Sequence, residues 1–474
     1  MKENEIETPL GSKERVVENP LGYEKIGKLI LRFSTPAIAS NLLNAVYNIV
    51  DQIFIGHGIG YNGIAATTIT FPLVTIIAAL SIMLGIGCAA NFNLHLGSGD
   101  KKKAGEIAGN GLSMMLISGV SLMVLVAVFF TPLLNLFGVT PEVLPLTTDY
   151  MRIIIIGIPF QILTVSTCYL IRADGSPTWA MFSMMSGAVF NLIFDPVFMF
   201  GFGWGIKGIA WATSLGQILS ASMAVSYIVR GMKTVELTKK SFRPRLSYTK
   251  TMCSLGISAF VNQFAMTLVN IVINNTLKHY GDLSVYGSTA VLGAVGAISK
   301  VNTFLVSCFA GIGQGCQPMY SFNYGAKNFA RVKETLKRAL TCNVVIGVSF
   351  FTLFQLCPHL IIGIFGKGSP EYVEFATRYL RIYMFMTFSN GIQSSSSFYF
   401  SSTGRAKMGA FVSMTRQLIF LIPLLLIFPI FFGIDGVLFA SPVADTVSAI
   451  LASTFVTREY RKLTKAVALP VEAH

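Results

Sequence analysis

Acidic residues are scarce in this chain, and scarcer still where it is apolar. Of 22 Asp and Glu, only Asp51, Asp195 and Asp445 fall inside long hydrophobic stretches. The other nineteen of the 22 sit in tails, loops or helix ends, where water solvates them. The seven cysteines form no CxxC pair and are odd in number, so they read as small apolar residues in or beside the spans. The five histidines, His57, His95, His279, His359 and His474, show no ligand spacing, which leaves no transition-metal site and no expected cofactor. Charge of either sign is thin at 12%, against 53% hydrophobic residues and a mean hydropathy of +0.63. A soluble chain of that composition would expose far too much apolar surface, so an integral membrane protein is expected. Positions 1–28 are polar and mixed in charge, and no cleavable signal peptide is expected there.

Apolar stretches of roughly 17 to 25 residues predict twelve spans. They lie near 29–56, 63–92, 107–131, 149–171, 178–203, 207–229, 253–277, 287–318, 336–364, 376–400, 409–431 and 436–457. Lys and Arg fall in alternate connections: Lys2, Lys13, Arg15, Lys25 and Lys28, then Lys101 to Lys103, Arg172, the run from Arg230 to Lys250, Lys327 to Arg338, Arg405 with Lys407, and Arg458 to Lys465. The opposite connections hold mainly Lys207, Lys278 and Lys367. By the positive-inside rule both termini are cytoplasmic, which requires an even number of spans. The net charge of +14 is then a topology signal with attraction to anionic membrane lipid, and implies no nucleic-acid partner.

The halves repeat at an offset of about 228 residues. Leu96-Gly97 and the basic run from Lys101 meet Tyr324-Gly325 followed by Lys327 and Arg331. Phe137-Gly138 meets Phe365-Gly366, Tyr150-Met151-Arg152-Ile153 meets Tyr379-Leu380-Arg381-Ile382, and Gly205-Ile206-Lys207-Gly208 meets Gly433-Ile434-Asp435-Gly436. Six spans per half is an even number, so the halves enter the membrane in the same sense. The expected fold is therefore all-α: twelve transmembrane helices in two six-helix bundles related by a parallel repeat, with a cavity between them and rocking of one against the other. The expected organisation is a cytoplasmic tail over 1–28, an N-lobe over 29–229, a basic cytoplasmic linker over 230–252, a C-lobe over 253–457 and a second tail over 458–474.

Depth arithmetic groups the polar residues of the N-lobe. With hydrocarbon beginning near Ser34, Asp51 lies about 26 Å up span 1 at about 1.5 Å per residue. From Pro177, Asn191 and Asp195 lie at about 20 and 27 Å, and Thr213 is about two turns down span 6 from the other side. Asn191 and Asp195 share one helix face. Pro196 lacks an N–H and so frees the Leu192 carbonyl as a further acceptor. Tyr47 and Asn48 add polar groups one turn before Asp51. Two intramembrane carboxylates without a fixed cation repel each other, so one holds a proton or both share a cation, which is the chemistry of ion coupling.

The sequence also resembles a known family. Thr35-Pro36, Tyr47-Asn48-Ile49-Val50-Asp51, Phe54-Ile55-Gly56, Leu96-Gly97, Asn191-Leu192-Ile193-Phe194-Asp195-Pro196 and Phe200-Gly201 are similar to motifs of the multidrug and toxic compound extrusion (MATE) transporters. The likeness runs from about Gly27 to Arg461 and is closest to the bacterial branch with a span 1 Asp and a span 5 Asn-x-x-x-Asp-Pro. It implies a monomeric antiporter of the bacterial cytoplasmic membrane that exports small amphipathic, cationic compounds in exchange for H⁺ or Na⁺. It also implies that Asp51, Asn191, Asp195 and Thr213 form the N-lobe cation site, with Tyr47 beside it. A branch with acids in spans 7, 8 and 10 is not matched, since spans 7 and 10 offer Gln263, Asn390 and Gln393 instead.

The C-lobe has its own polar set in Lys300, Gln314, Gln317, Arg416 and Asp445. Arg416 enters about two turns from the cytoplasmic end, which predicts snorkelling to water. Lys300 and Asp445 lie about 20 and 13 Å below the outer face, and a Lys stem spans the difference, so these two are expected to pair. A lipid-linked-precursor flippase of the same superfamily is the alternative, though it would want several cavity cations to hold a pyrophosphate. A membrane enzyme would need a nucleophile with its base, or a metal set, near one interface, and none is seen. The two-bundle repeat disfavours a channel.

Overall fold

In the computed structural model the described residues are 19–364 and 369–468. Lys2, Lys13, Arg15, Phe365, Gly366, Lys367 and His474, named above, lie outside them. A short α1 (Pro20–Tyr23) leads into α2 (Ile26–Gly58), α3 (Tyr61–Gly97), α4 (Lys101–Val128) with α5 (Phe130–Leu136), α6 (Leu144–Ala173), α7 (Pro177–Pro196) with a π-helical turn over Val197–Gly201, and α8 (Ile206–Val229). The second half runs α9 (Leu246–Asp282), α10 (Ser288–Gly325), α11 (Phe329–Leu356) with α12 (Pro358–Ile364), then α13 (Pro370–Arg378), a π turn (Tyr379–Tyr383) and α14 (Thr387–Ser402) as one span. The last two spans are α15 (Ala406–Met414), a π turn (Thr415–Leu421) and α16 (Ile422–Phe432), followed by α17 (Ile434–Ala468). Twelve transmembrane helices thus form two six-helix bundles. Among the described residues, ten are long and apolar enough on length and composition alone. The two that are not, α2 and the α13–α14 span, carry Asn41, Asn44, Asn48, Asp51 and Gln52, and a serine run from Ser394 to Ser397.

The repeat is visible in the helix ends. α4 and α11 both have 28 residues and begin 228 apart, and each is capped by the same device: Asp100 accepts from the Lys103 N–H at 3.0 Å, and Asn328 from the Arg331 N–H at 3.3 Å. Gly205 and Gly433 precede α8 and α17 at φ +54° and +57°, a conformation that favours glycine.

Helices outrun the hydropathy at several ends. α2 begins at Ile26 and α9 at Leu246, ahead of the expected spans at 29 and 253. Hydropathy marks where lipid ends, whereas backbone hydrogen bonding continues into water until a cap stops it. The segment between the lobes does not hang free. Asn110 Oδ1 accepts from the Arg245 N–H at 2.7 Å, Ser113 donates to the Phe242 carbonyl at 2.7 Å, and Asp174 accepts from the Lys233 and Thr234 N–H groups at 2.7 and 3.0 Å. It is strapped to the N-lobe. Residues 19–24, expected as solvated tail, instead dock on the C-lobe: buried Leu21 offers its carbonyl to Asn323 Nδ2 at 3.0 Å and Arg331 Nη2 at 3.1 Å.

The lobes meet along α2–α10 and α3–α9, and their close contacts lie in the half nearer the termini, here called the basic end. Glycine permits them. A Cβ on Gly87 would stand 1.9 Å from the Met252 carbonyl oxygen, one on Gly256 1.9 Å from that of Met83, one on Gly315 2.7 Å from Ser34 Cα and one on Gly325 2.1 Å from the Leu94 oxygen. Toward the far end the same helices expose Ile53, Phe71, Phe264 and Ile271. Gly256→Ala is expected to pry the seam apart and shift the population toward a state open at the basic end. Spin-label distances between the basic ends of α4 and α11 would lengthen; an unchanged distribution refutes the role given to these contacts.

Candidate functional site: a buried acceptor cluster in the N-lobe

α2, α6, α7 and α8 enclose a cavity of about 180 Å³ whose lining includes Asn44, Tyr47, Gln161, Asn191, Thr213 and Gln217. Small residues bring its walls together. A Cβ on Gly187 would lie 2.5 Å from the Gly216 carbonyl oxygen, so α7 and α8 touch at backbone distance there. Ser214 donates to the Ile153 carbonyl at 3.1 Å, and Gln217 Nε2 to Gln161 Oε1 at 2.9 Å, tying α8 to α6.

At the cavity's far end Asn191 Nδ2 donates to Thr213 Oγ1 at 3.0 Å. That bond leaves Asn191 Oδ1 without a partner, and Asp51 Oδ1 and both oxygens of Asp195 are likewise buried and unpartnered. Asp195 is 1% exposed and Asn191 3%. Tyr47, Tyr150, Asp51 and Asp195 lie within electrostatic reach of one another. A roof of Ile55, Tyr150, Ile154, Met199 and Ile209 separates the group from the far surface. Four buried acceptors without a partner cost several kcal/mol unless a proton or cation joins them. Among the described residues no three His, Cys, Asp or Glu come together as a metal site would require.

The local fold follows from Pro196. It withholds an N–H from the Leu192 carbonyl, and the helix widens into the π turn Val197–Gly201, a feature frequent at functional sites. That turn packs on the end of α2. A Cβ on Gly58 would lie 2.0 Å from Met199 Cε, and the Phe54 and Phe200 rings meet edge to face at 6.5 Å.

In the C-lobe the expected pairing is corrected. Asp445, 2% exposed, is bound by Arg416, with Nε 2.5 Å from Oδ1, and Ser441 Oγ lies 3.4 Å from Oδ2. Arg416 does not snorkel. Its helix starts at Ala406, placing it about 15 Å along the axis, and it sits within the π turn Thr415–Leu421, which changes the helical phase and turns the side chain inward. Lys300 is exposed and makes no ion pair among the described residues. It stands three helical turns above Gly311 on the α10 face that meets Ile38 of α2. Gln317 is also drawn elsewhere: its Nε2 donates across the lobe seam to the Ile86 carbonyl at 3.3 Å, and Gln314, on the same helix, keeps a buried, unpartnered Oε1.

Gln161 and Gln217 were not singled out in the sequence, and Tyr150 was read there only as a landmark of the repeat. A search of the spans for buried amides as well as carboxylates would have flagged the two glutamines. The repeat would then have aligned them with Asn390 and Asp445, which stand one repeat offset further along the chain.

Comparison with known proteins now bears on this arrangement. The family profile described as MatE matches residues 36–197 and 258–427, a stretch in each lobe. A multidrug export protein MepA of Staphylococcus haemolyticus is 26% identical over 439 residues, 93% of this chain and 95% of its own length. One from Staphylococcus aureus is 26% identical over 437 residues, 92% and 94% of the two chains. Among solved structures, one described as the outward-facing conformation of a multidrug resistance MATE family transporter of the MOP superfamily superposes with a TM-score of 0.87. It is 20% identical, over 95% of this chain and 99% of that one. A MOP superfamily transporter from Pyrococcus furiosus gives the same TM-score at 20% identity, over 95% and 100%. At that identity the structures speak for the fold alone.

Proposed function

The chain belongs to the MatE family, whose members are transporters and not enzymes, and on that premise we propose that it is a cation-coupled multidrug efflux antiporter. The observation that carries this reading is the set of unpaired oxygens on Asp51, Asn191 and Asp195, buried beside a polar cavity in one lobe of a two-lobe transporter. A site that needs an added positive charge is a site whose occupancy changes the energy of the lobe around it. Lobe motion is then driven by the ion while cargo moves through the cleft.

The basic end faces the cytoplasm of a bacterial cell, by the distribution of Lys and Arg. A seam closed there makes the cleft outward-open. The coupling ion is H⁺, which needs one carboxylate only; Na⁺ would use Asp51, Asn191, Asp195, Thr213 and the Leu192 carbonyl together. Proteoliposomes decide between them. Uptake should follow a pH gradient at equal Na⁺, whereas a response to Na⁺ alone at equal pH reverses the assignment. The protein acts as a monomer on small amphipathic, cationic compounds. With few deep cations in the spans, a pyrophosphate-bearing lipid precursor has little to hold it.

Lys300 also gives a signed expectation. An exposed ammonium in the cleft repels a cationic cargo by about 1 kcal/mol at close range in water-like surroundings. Lys300→Gln should therefore lower KM for a cationic dye several-fold at low salt, with the difference shrinking as salt is added. An unchanged KM removes Lys300 from the cargo path.

A further inference from the structure

A groove of about 580 Å³ runs down the outer side of the C-lobe between α14 and α17. Its upper walls are Met386, Phe388, Ile392 and Ile450, the last 62% exposed, and its lower end carries Thr457, Arg458 and Arg461. The polar groups of the lobe interior point elsewhere. Asp445 and Arg416 bond to each other behind Thr446, and the equivalent N-lobe helices, α6 and α8, are tied by hydrogen bonds from Ser214 and Gln217.

We infer that this groove binds an anionic phospholipid from the leaflet at the basic end. From Thr446 to Arg461 α17 rises about 22 Å at about 1.5 Å per residue, enough for an acyl chain in a half-bilayer of roughly 15 Å plus a headgroup. Arg458 and Arg461 are exposed, and among the described residues neither has an ion-pair or hydrogen-bond partner. The acid between them, Glu459, is 6% exposed and engaged by Arg405 and Lys462, so it does not neutralise them. Two guanidiniums at the foot of an apolar groove match a phosphate with acyl chains above it, and Thr457 adds a hydroxyl. A zwitterionic lipid would bring a cationic group against the same arginines.

Native mass spectrometry of the purified full-length protein in detergent, titrated with phosphatidylglycerol or phosphatidylcholine of identical chains, tests the assignment. The first phosphatidylglycerol is expected to bind about thirtyfold tighter than phosphatidylcholine, the product of two basic contacts near a membrane surface. Arg458→Gln with Arg461→Gln should abolish that preference, while Lys239→Gln with Lys240→Gln, exposed on the linker, should keep it. Ala449→Trp with Ser453→Trp fills the groove without touching the arginines and should displace both lipids. Equal affinity for the two lipids in the parent, a preference that survives loss of both arginines, or tight phosphatidylglycerol binding to the filled groove would each overturn the site.

Discussion

Asp51→Asn and Asp195→Asn are each expected to reduce gradient-driven accumulation to nothing while leaving the folded protein in the membrane. Both substitutions keep shape and remove the charge that attracts the ion. In the parent, one ion exchanged per cargo molecule allows a tenfold ion gradient, about 1.4 kcal/mol, to sustain about tenfold accumulation. Without a coupled ion that ratio falls to about one. Downhill equilibration of cargo persists, because the cleft and its walls are intact. Counterflow in proteoliposomes with and without an imposed gradient separates the two readouts. Accumulation near the parental ratio in either variant would remove that carboxylate from the coupling site. The two are expected to fail alike, since the acceptors they present are buried in one group with Asn191 Oδ1 and neither Asp195 oxygen has a protein donor.

The second large effect belongs to Arg416 and Asp445. Removing one partner of a buried ion pair leaves the other charge stranded, which costs about 3–5 kcal/mol, whereas replacing both by groups of similar volume is often neutral. Arg416→Met should therefore lower the thermal midpoint sharply, and Asp445→Asn should do the same to a lesser degree, because Arg416 remains 17% exposed and Asp445 only 2%. The double variant should recover most of the loss. Midpoints from fluorescence-detected size exclusion give the comparison as a double-mutant cycle. Additive losses would mean that the two side chains act independently. The same cycle built on Lys300 and Asp445 should show no coupling.

Much of this protein is one-dimensional information. Twelve stretches of the right length and hydropathy, a polar remainder whose cations alternate sides, and landmarks repeated at a constant offset dictate a two-bundle membrane fold, because lipid forces every span to satisfy its own backbone as a helix. Depth is equally legible, since a helix rises by a fixed step per residue and counting alone places Asp51, Asn191 and Asp195 at similar levels. The hydrogen bond between Asn191 and Thr213 joins two residues that counting had already put near each other.

Rotation about the helix axis and lateral neighbours are not in that count. Lys300 and Asp445 were compatible in depth, yet Lys300 lies on the α10 face that meets α2 and Asp445 points into the C-lobe, where the π turn over Thr415–Leu421 delivers Arg416. A π turn inserts a residue into the helical ladder, so every side chain around it departs from the regular α-helical phase that sequence reading assumes. The closed half of the lobe seam was also undetermined by sequence. Glycines at 87, 256, 315 and 325 permit close approach, but only the packing of one lobe on the other decides that they touch at the basic end.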